Sequence, residues 1–85
     1  MYELVYADSV ERQMRKIDRQ FHSQIAATIE SIDLNNPRSS GKALAGTLNG
    51  LWRYRSGDFR IICEIQDQRL VVLVIKIGAR RDIYR

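Results

Sequence analysis

The chain has 85 residues, of which 45% are hydrophobic and 28% are charged, and its formal net charge is +4. This size supports one domain with one modest core, here residues 1–85, and this composition excludes disorder as the default state. The charge is uneven, because residues 1–35 hold four basic and six acidic side chains, whereas residues 36–85 hold ten basic and four acidic ones. The net +6 of the second part favours an acidic partner such as nucleic acid.

Several classes of site are excluded by what the sequence lacks. Its single cysteine and single histidine, Cys63 and His22, permit no internal disulfide and have no zinc-ligand spacing. Walker, dinucleotide and Ser-His-Asp motifs are absent. No apolar run approaches the roughly 20 residues that cross a bilayer, and no secretory signal precedes the first strand. We therefore expect no metal, no cofactor, no membrane contact and a cytoplasmic location.

The first part of the chain predicts a strand followed by helix. Tyr2–Tyr6 is a short apolar run, and Asp8 with Glu11 resembles a capping box at a helix start. Asp18 could cap a second helix, so the pattern allows either one long helix or a helical hairpin. Apolar residues then recur at the three- and four-residue spacing of one helix face: Val10, Met14, Ile17, Phe21, Ile25, Ile29 and Ile32.

The second part of the chain predicts an antiparallel meander. The helical pattern ends at Leu34, before Asn-Asn-Pro, and residues 35–50 form a glycine-containing connector. Strand 70–77 is apolar without a break at its start, which predicts a central strand covered on both faces. Short turns make these strands antiparallel, giving an α+β fold with a mainly antiparallel four-stranded sheet and helices on one face. The three predicted strands are Leu51–Arg55, Phe59–Gln66 and Leu70–Ile77.

The predicted hairpin of residues 51–60 carries an unusual number of arginines. Because side chains alternate along a strand, Arg53 and Arg55 share one face while Trp52 and Tyr54 share the face that meets the helices. Arg60, beyond the Ser-Gly-Asp turn, adds a third guanidinium. Three permanently charged guanidinium groups on one sheet face are suited to binding a phosphate backbone.

A plainer interpretation is a solvated strand surface whose arginines pair with Glu64 and Asp58. A second basic cluster favours the functional interpretation. Arg80 and Arg81 follow a glycine at the end of the last strand, where the antiparallel register brings them toward the arginine hairpin. Tyr84 offers a ring for stacking an unpaired base or a phenol for proton transfer, although it could equally anchor the C-terminus on the sheet.

Two segments of the chain resemble RelE, the toxin of bacterial type II toxin–antitoxin modules. They are Leu-Asn-Gly-Leu-Trp-Arg-Tyr-Arg-Ser-Gly-Asp-Phe-Arg-Ile-Ile-Cys-Glu-Ile at residues 48–65 and Val-Ile-Lys-Ile-Gly-Ala-Arg-Arg-Asp-Ile-Tyr at residues 74–84. The resemblance covers essentially the whole chain and implies a RelE-like fold. It also implies a ribosome-dependent endoribonuclease that cuts mRNA in the ribosomal A site, with an acidic antitoxin from the same operon as its partner. RelE toxins lack a histidine acid–base pair and rely on basic residues and a tyrosine.

The resemblance assigns roles to five residues of this chain. Arg60 and Arg80 would contact the phosphate, and Arg53 and Arg55 would hold the backbone or lower the pKa of a neighbour. Tyr84 would orient the nucleotide and assist proton transfer. Weaker candidates for contacts with RNA or the ribosome are Lys42, Lys76 and Arg81.

Two departures from the RelE pattern bear on activity. Relatives often carry lysine where this chain has Arg53 and Arg55, and arginine, with a pKa of about 12.5 or more, is a poor proton shuttle. Relatives also commonly carry a basic residue where Ala79 stands, so either the site does not need that group or the chain is attenuated. Two alternatives remain open: a toxin resembling ParE, which shares the fold and inhibits DNA gyrase by protein contact, and a plain RNA-binding module.

Overall fold

The computed structural model describes residues 1–83, which form one mixed sheet with helices on both of its faces. Short 3-10 turns at Arg19–Phe21, Pro37–Ser39 and Gly46–Leu48 join the main elements. In chain order those elements are β1 (Glu3–Tyr6), α1 (Ser9–Arg15), α2 (His22–Glu30), β2 (Lys42–Ala43), β3 (Trp52–Ser56), β4 (Phe59–Gln66), β5 (Val71–Ala79) and α3 (Arg80–Ile83).

The helical segment is a hairpin, which settles the alternative that the sequence left open. The Asp18 carboxylate accepts a hydrogen bond from the Gln20 backbone N–H at 3.1 Å and caps the turn that leads into α2. Asp8 occupies the cap position of α1 as expected, but its side chain accepts no capping hydrogen bond from the described residues. The periodicity therefore located the helices, and the cap at Asp18 separates them.

The strand order is β1-β5-β4-β3-β2, with β1 parallel to β5 and every other pair antiparallel. This confirms the α+β class, but the prediction of four strands was one strand too low. β2 pairs Lys42 with Arg53, and the Leu44 N–H donates to the Leu51 carbonyl at 3.0 Å. Gly41 permits this pairing because any Cβ there would collide with the Arg53 carbonyl oxygen. Such tertiary pairing of two residues leaves no periodic signal in a sequence.

The last strand differs in detail from its prediction. It begins at Val71, because Leu70 lies in the preceding turn with φ of +53°, and it continues to Ala79 rather than ending at Ile77. An extra residue, Ile75, shifts the register between Ile62 and Cys63 of β4, which is a β-bulge. β5 is an interior strand between β1 and β4, but the middle strand of the sheet is β4. The expectation that β5 is covered on both faces was wrong, because its residues are fully buried on one face only.

The two faces of the sheet differ in what covers them. The core face packs on α1 and α2 and includes Tyr54, as the alternation predicted. The outer face is open except near α3, where Ile62 and Ile83 are buried outside the main core cluster. No helix among residues 1–83 is both long enough and apolar enough to span a bilayer. The main core cluster consists of Val10, Ile25, Ile29, Ile32, Tyr54, Ile61, Cys63, Val72, Val74 and Ile77.

Candidate functional site

Four basic side chains lie on the outer face in two rows that cross the sheet. Lys42 pairs directly with Arg53, and two residues further along β3, Arg55 pairs directly with Arg60. Directly paired residues of antiparallel strands project from the same face, so these four form one surface, which we call the arginine face. The second row continues to Gly78 of β5. Strands lie about 4.8 Å apart, so this row spans roughly 10 Å.

Arg60 occupies the predicted position but is almost completely buried, with 4% of its surface exposed. Its Nη1 donates to the backbone carbonyls of Gly57 at 3.1 Å and Phe59 at 3.2 Å. Its Nε has no hydrogen-bond partner among residues 1–83, and neither does the buried Nε of Arg53. Burying such donors unpaired costs stability.

The arginine face has no carboxylate partners among the described residues. Within residues 1–83 the ion pair found is Arg38 with Asp67, at the far end of β4. Glu64, which could have neutralised the face, accepts a hydrogen bond from Gln66 instead. The expected pairing of these arginines with Glu64 and Asp58 is therefore absent among residues 1–83, and the positive charge of the face remains uncompensated by this part of the chain.

The second basic cluster lies where β5 leads into α3. The backbone N–H of Arg80 donates to the Asp58 carbonyl at 2.9 Å, which ties α3 to the β3–β4 turn. Arg80 and Arg81 are exposed, and together with Asp58 and Ala79 they line an open cavity of about 670 Å³. Ala79 borders this cavity and also a groove beside α1. The tie between Arg80 and Asp58 was not foreseen, because it depends on the exact register of β4 and β5.

The remaining candidates are divided between two places. Lys42, Arg53 and Arg55 line a second cavity of about 320 Å³ at the β3 edge of the sheet. Lys76 instead lines a groove of about 400 Å³ beside α1, together with Lys16. It lines neither of the cavities formed by the arginines. Tyr84, the candidate for base stacking or proton transfer, lies outside the described residues.

Three groups that could transfer protons are committed to the fold. The His22 ring bonds the Ile17 carbonyl oxygen through Nε2 at 2.8 Å, on the helical side of the molecule. Burial raises the pKa of the Cys63 thiol to about 12, which makes it a poor nucleophile. Burial likewise raises the pKa of Tyr54 to about 12, and its hydroxyl donates to the Pro37 carbonyl at 2.6 Å. Among residues 1–83, the site is thus suited to stabilising negative charge rather than to transferring protons.

Comparison with known proteins agrees with the fold and with the resemblance seen in the sequence. Toxin RelE of Mycobacterium tuberculosis (strain ATCC 25618 / H37Rv) is 29% identical over 84 residues, covering 99% of this chain and 87% of that protein. The toxin–antitoxin complex RelBE2 from M. tuberculosis contains a chain that superposes with a TM-score of 0.80 at 20% identity, covering 93% of this chain and 98% of that one. The isolated E. coli RelE toxin gives a TM-score of 0.74 at 23% identity, covering 99% and 92%. At these identities, the two structures show a shared fold.

A family model covers almost the entire chain. The model described as the ParE toxin of type II toxin–antitoxin system, parDE, matches residues 4–84. This match and the RelE relative confirm that the chain is a toxin of the RelE/ParE superfamily, as the two sequence segments indicated. The chain therefore belongs to the ParE toxin family of type II toxin–antitoxin systems.

Proposed function

We propose that this toxin is a ribosome-dependent endoribonuclease that cuts mRNA in the ribosomal A site and so inhibits translation. The observation that carries the proposal is the uncompensated positive charge of the arginine face beside the exposed Arg80 and Arg81. A phosphodiester brings the negative charge that the described chain does not supply. The RelE relative supports this class of target.

The proposed reaction needs stabilisation of charge more than covalent chemistry from the protein. The mRNA 2′-hydroxyl attacks the adjacent phosphorus, and the 5′-oxygen of the next nucleotide leaves, giving a cyclic phosphate and a free 5′-hydroxyl. Arg80, exposed at the larger cavity, contacts the phosphate as negative charge develops on it. Arg53 and Arg55 hold the RNA backbone. Lys42 and Arg81 extend the surface toward ribosomal RNA, with Lys76 as a separate contact.

The proposed dependence on the ribosome follows from where residues 1–83 place the groups that could transfer protons. His22 and Tyr54 are hydrogen-bonded within the fold, and Cys63 is buried. Tyr84 is our candidate for orienting the nucleotide and assisting proton transfer. A site that stabilises charge but transfers protons poorly benefits most from a substrate that is already held in an attacking geometry. The ribosomal A site would provide that orientation.

We also propose an acidic antitoxin as the toxin's partner. The structural neighbours include RelE toxins in complexes with RelB antitoxins, from M. tuberculosis and from E. coli. The net +6 of residues 36–85 would speed the association of an acidic chain, and salt would weaken this attraction. Pull-down of the toxin expressed from its native operon should recover a small acidic protein.

Primer extension on a translated mRNA tests the proposed activity. Cuts should appear at codons in the A site, and the purified protein should leave free RNA largely intact. If activity is weak, Ala79→His or Ala79→Arg should increase it, because either restores the basic group that relatives commonly carry. Robust cutting of free RNA, or no A-site cuts even with position 79 restored, would contradict the proposal.

A second candidate function is inhibition of DNA gyrase, and the family model favours it because its description names ParE. In this case the basic surface would contact a protein rather than RNA. A gyrase supercoiling assay alongside primer extension separates the two. Loss of supercoiling activity without mRNA cuts would assign the chain to the gyrase-directed class.

A further inference from the structure

The burial of Arg60 conflicts with a direct contact between its guanidinium and a substrate phosphate. Only 4% of its surface is exposed, whereas Arg55, directly opposite in β3, is exposed. α3 packs over this end of β4 and β5. The Ile83 side chain lies over Gly78, where a Cβ would approach its Cδ1 to 3.3 Å, and Gly78 is the β5 residue paired with Arg60. Arg60 therefore faces protein.

Among residues 1–83, the side-chain hydrogen bonds of Arg60 go to the β3–β4 turn. Its Nη1 donates to the carbonyls of Gly57 and Phe59, which flank Asp58. The Asp58 carbonyl between them accepts the Arg80 N–H at 2.9 Å. Three consecutive carbonyls are thus fixed, two by the buried guanidinium and one by the first residue of α3. A rigid turn at this point determines where the Arg80 backbone begins.

We propose that Arg60 is a positioning residue, whose buried guanidinium holds the β3–β4 turn so that the Asp58 carbonyl anchors Arg80 at the cavity. The inference rests on the proposed function for its consequence in catalysis, although the contact itself can be tested without any substrate. Arg60 then affects the reaction through Arg80 and does not touch the phosphate.

The energetics of burial support a role in positioning over one in stability. A buried guanidinium with no carboxylate among residues 1–83, and with its Nε unpaired, is costly to desolvate. An apolar side chain of similar length would avoid that cost, and of the two carbonyls that Arg60 holds, that of the exposed Gly57 could bond to water instead. Retaining arginine here favours geometry at the expense of stability.

Amide hydrogen exchange in the free toxin tests the contact directly. In Arg60→Met we expect the Arg80 amide to exchange at least about tenfold faster, because the turn that accepts its hydrogen bond is no longer held. The melting temperature should stay the same or rise. An Arg80 exchange rate equal to that of the wild type in folded Arg60→Met would overturn the proposal.

Two further variants separate the contact from the charge. Arg55→Met removes the exposed arginine opposite Arg60, and its Arg80 exchange should stay within about twofold of the wild type. Equal acceleration in Arg55→Met would show that loss of charge is the cause, and the proposal would fail. If Arg60→Met does not fold, Arg60→Lys decides, because its ammonium ends one atom short of Nη1. Faster Arg80 exchange in Arg60→Lys supports the proposal, and an unchanged rate overturns it.

A double-mutant cycle on single-turnover cleavage tests the consequence for catalysis. If Arg60 acts through Arg80, Arg60→Met should slow the wild type by at least about tenfold but slow Arg80→Ala by less than about twofold. Additive losses would mean that Arg60 acts on the substrate independently, and they would overturn the proposal. If the wild type cuts no mRNA at all, the proposed function fails, and exchange at Arg80 alone still decides the positioning role.

Discussion

The arginines at the two ends of β4 have opposite surroundings. At the far end, Arg38 donates to both carboxylate oxygens of Asp67, at 2.8 and 3.1 Å, and the Tyr2 hydroxyl donates to Asp67 at 2.6 Å. The Arg38 guanidinium also lies 6.0 Å from the centre of the Trp52 ring. At the other end, the arginine face has no carboxylate partner among residues 1–83. We call the first group the Asp67 cluster.

The difference separates charges that stabilise the fold from charges that we propose bind a partner. The hydrogen bonds from Arg38 and Tyr2 lower the pKa of Asp67, so the carboxylate is kept charged, and the bond to Asp67 raises the pKa of Tyr2. The cluster ties the N-terminus to the β4–β5 turn. The unbalanced charge of the arginine face should lower the free energy of unfolding, which is typical of functional surfaces.

The largest expected effect tests whether the two groups can be separated by mutation. Arg80→Ala should slow single-turnover cleavage on programmed ribosomes by at least about tenfold, because one preorganised charge donor is lost from the transition state. Its melting temperature should not change, since the Arg80 side chain is exposed and makes no ion pair with residues 1–83.

The matched control is Arg38→Ala, which removes an arginine from the Asp67 cluster. It should lower the melting temperature and leave the cleavage rate within about twofold of the wild type, since it lies outside the proposed site. Circular dichroism confirms that both variants are folded. Equal losses of rate in the two variants would break the distinction between structural and functional arginines.

The second effect is a dependence of stability on pH that belongs to the Asp67 cluster. Because the folded-state pKa of Asp67 lies below its unfolded value of about 3.9, its contribution is fully present above about pH 4 and is lost as the pH falls through the folded pKa. Asp67→Asn should therefore have a lower melting temperature than the wild type at pH 7, and the two melting temperatures should converge as the pH falls through the folded-state pKa of Asp67.

An Arg38→Ala background provides the check on this cause. There the partner that holds Asp67 charged is gone, so Asp67→Asn should change the melting temperature much less at pH 7. A difference between wild type and Asp67→Asn that persists unchanged down to pH 2.5 would show that the carboxylate charge is not what stabilises the cluster.

The contrast between these groups could be predicted only in part from sequence. Alternation along a strand is local, so it correctly placed Arg53 and Arg55 on one face and Tyr54 on the other. The burial of Arg60 could not be predicted, because it depends on α3 lying over the outer face. The pairing of Arg38 with Asp67 joins residues 29 positions apart in the chain through tertiary structure alone.

Two features of the sheet, its edge strand β2 and the bulge in β5, could not be predicted from sequence for the same reason. β2 consists of two residues whose pairing is made possible by Gly41, and the bulge at Ile75 changes the register of an otherwise continuous apolar run. Neither feature alters the hydrophobic pattern from which strands are inferred. The sequence therefore predicted the layout of the fold and most members of the arginine face, whereas the ties between them required the three-dimensional structure.

The smallest expected effect concerns repulsion within the arginine face itself. Lys42 lies directly opposite Arg53, and like charges in this position destabilise a sheet by ~0.2–1 kcal/mol. Lys42→Met should therefore raise the free energy of unfolding by a few tenths of a kcal/mol, measured by urea denaturation. Lys76→Met is the control, because Lys76 is an equally exposed strand lysine that lies opposite the uncharged Ile62. In 1 M salt, where the Debye length is only about 3 Å, the gain from Lys42→Met should vanish. A gain that is equal in both variants, or that does not depend on salt, would mean that side-chain packing rather than charge sets the stability of this face.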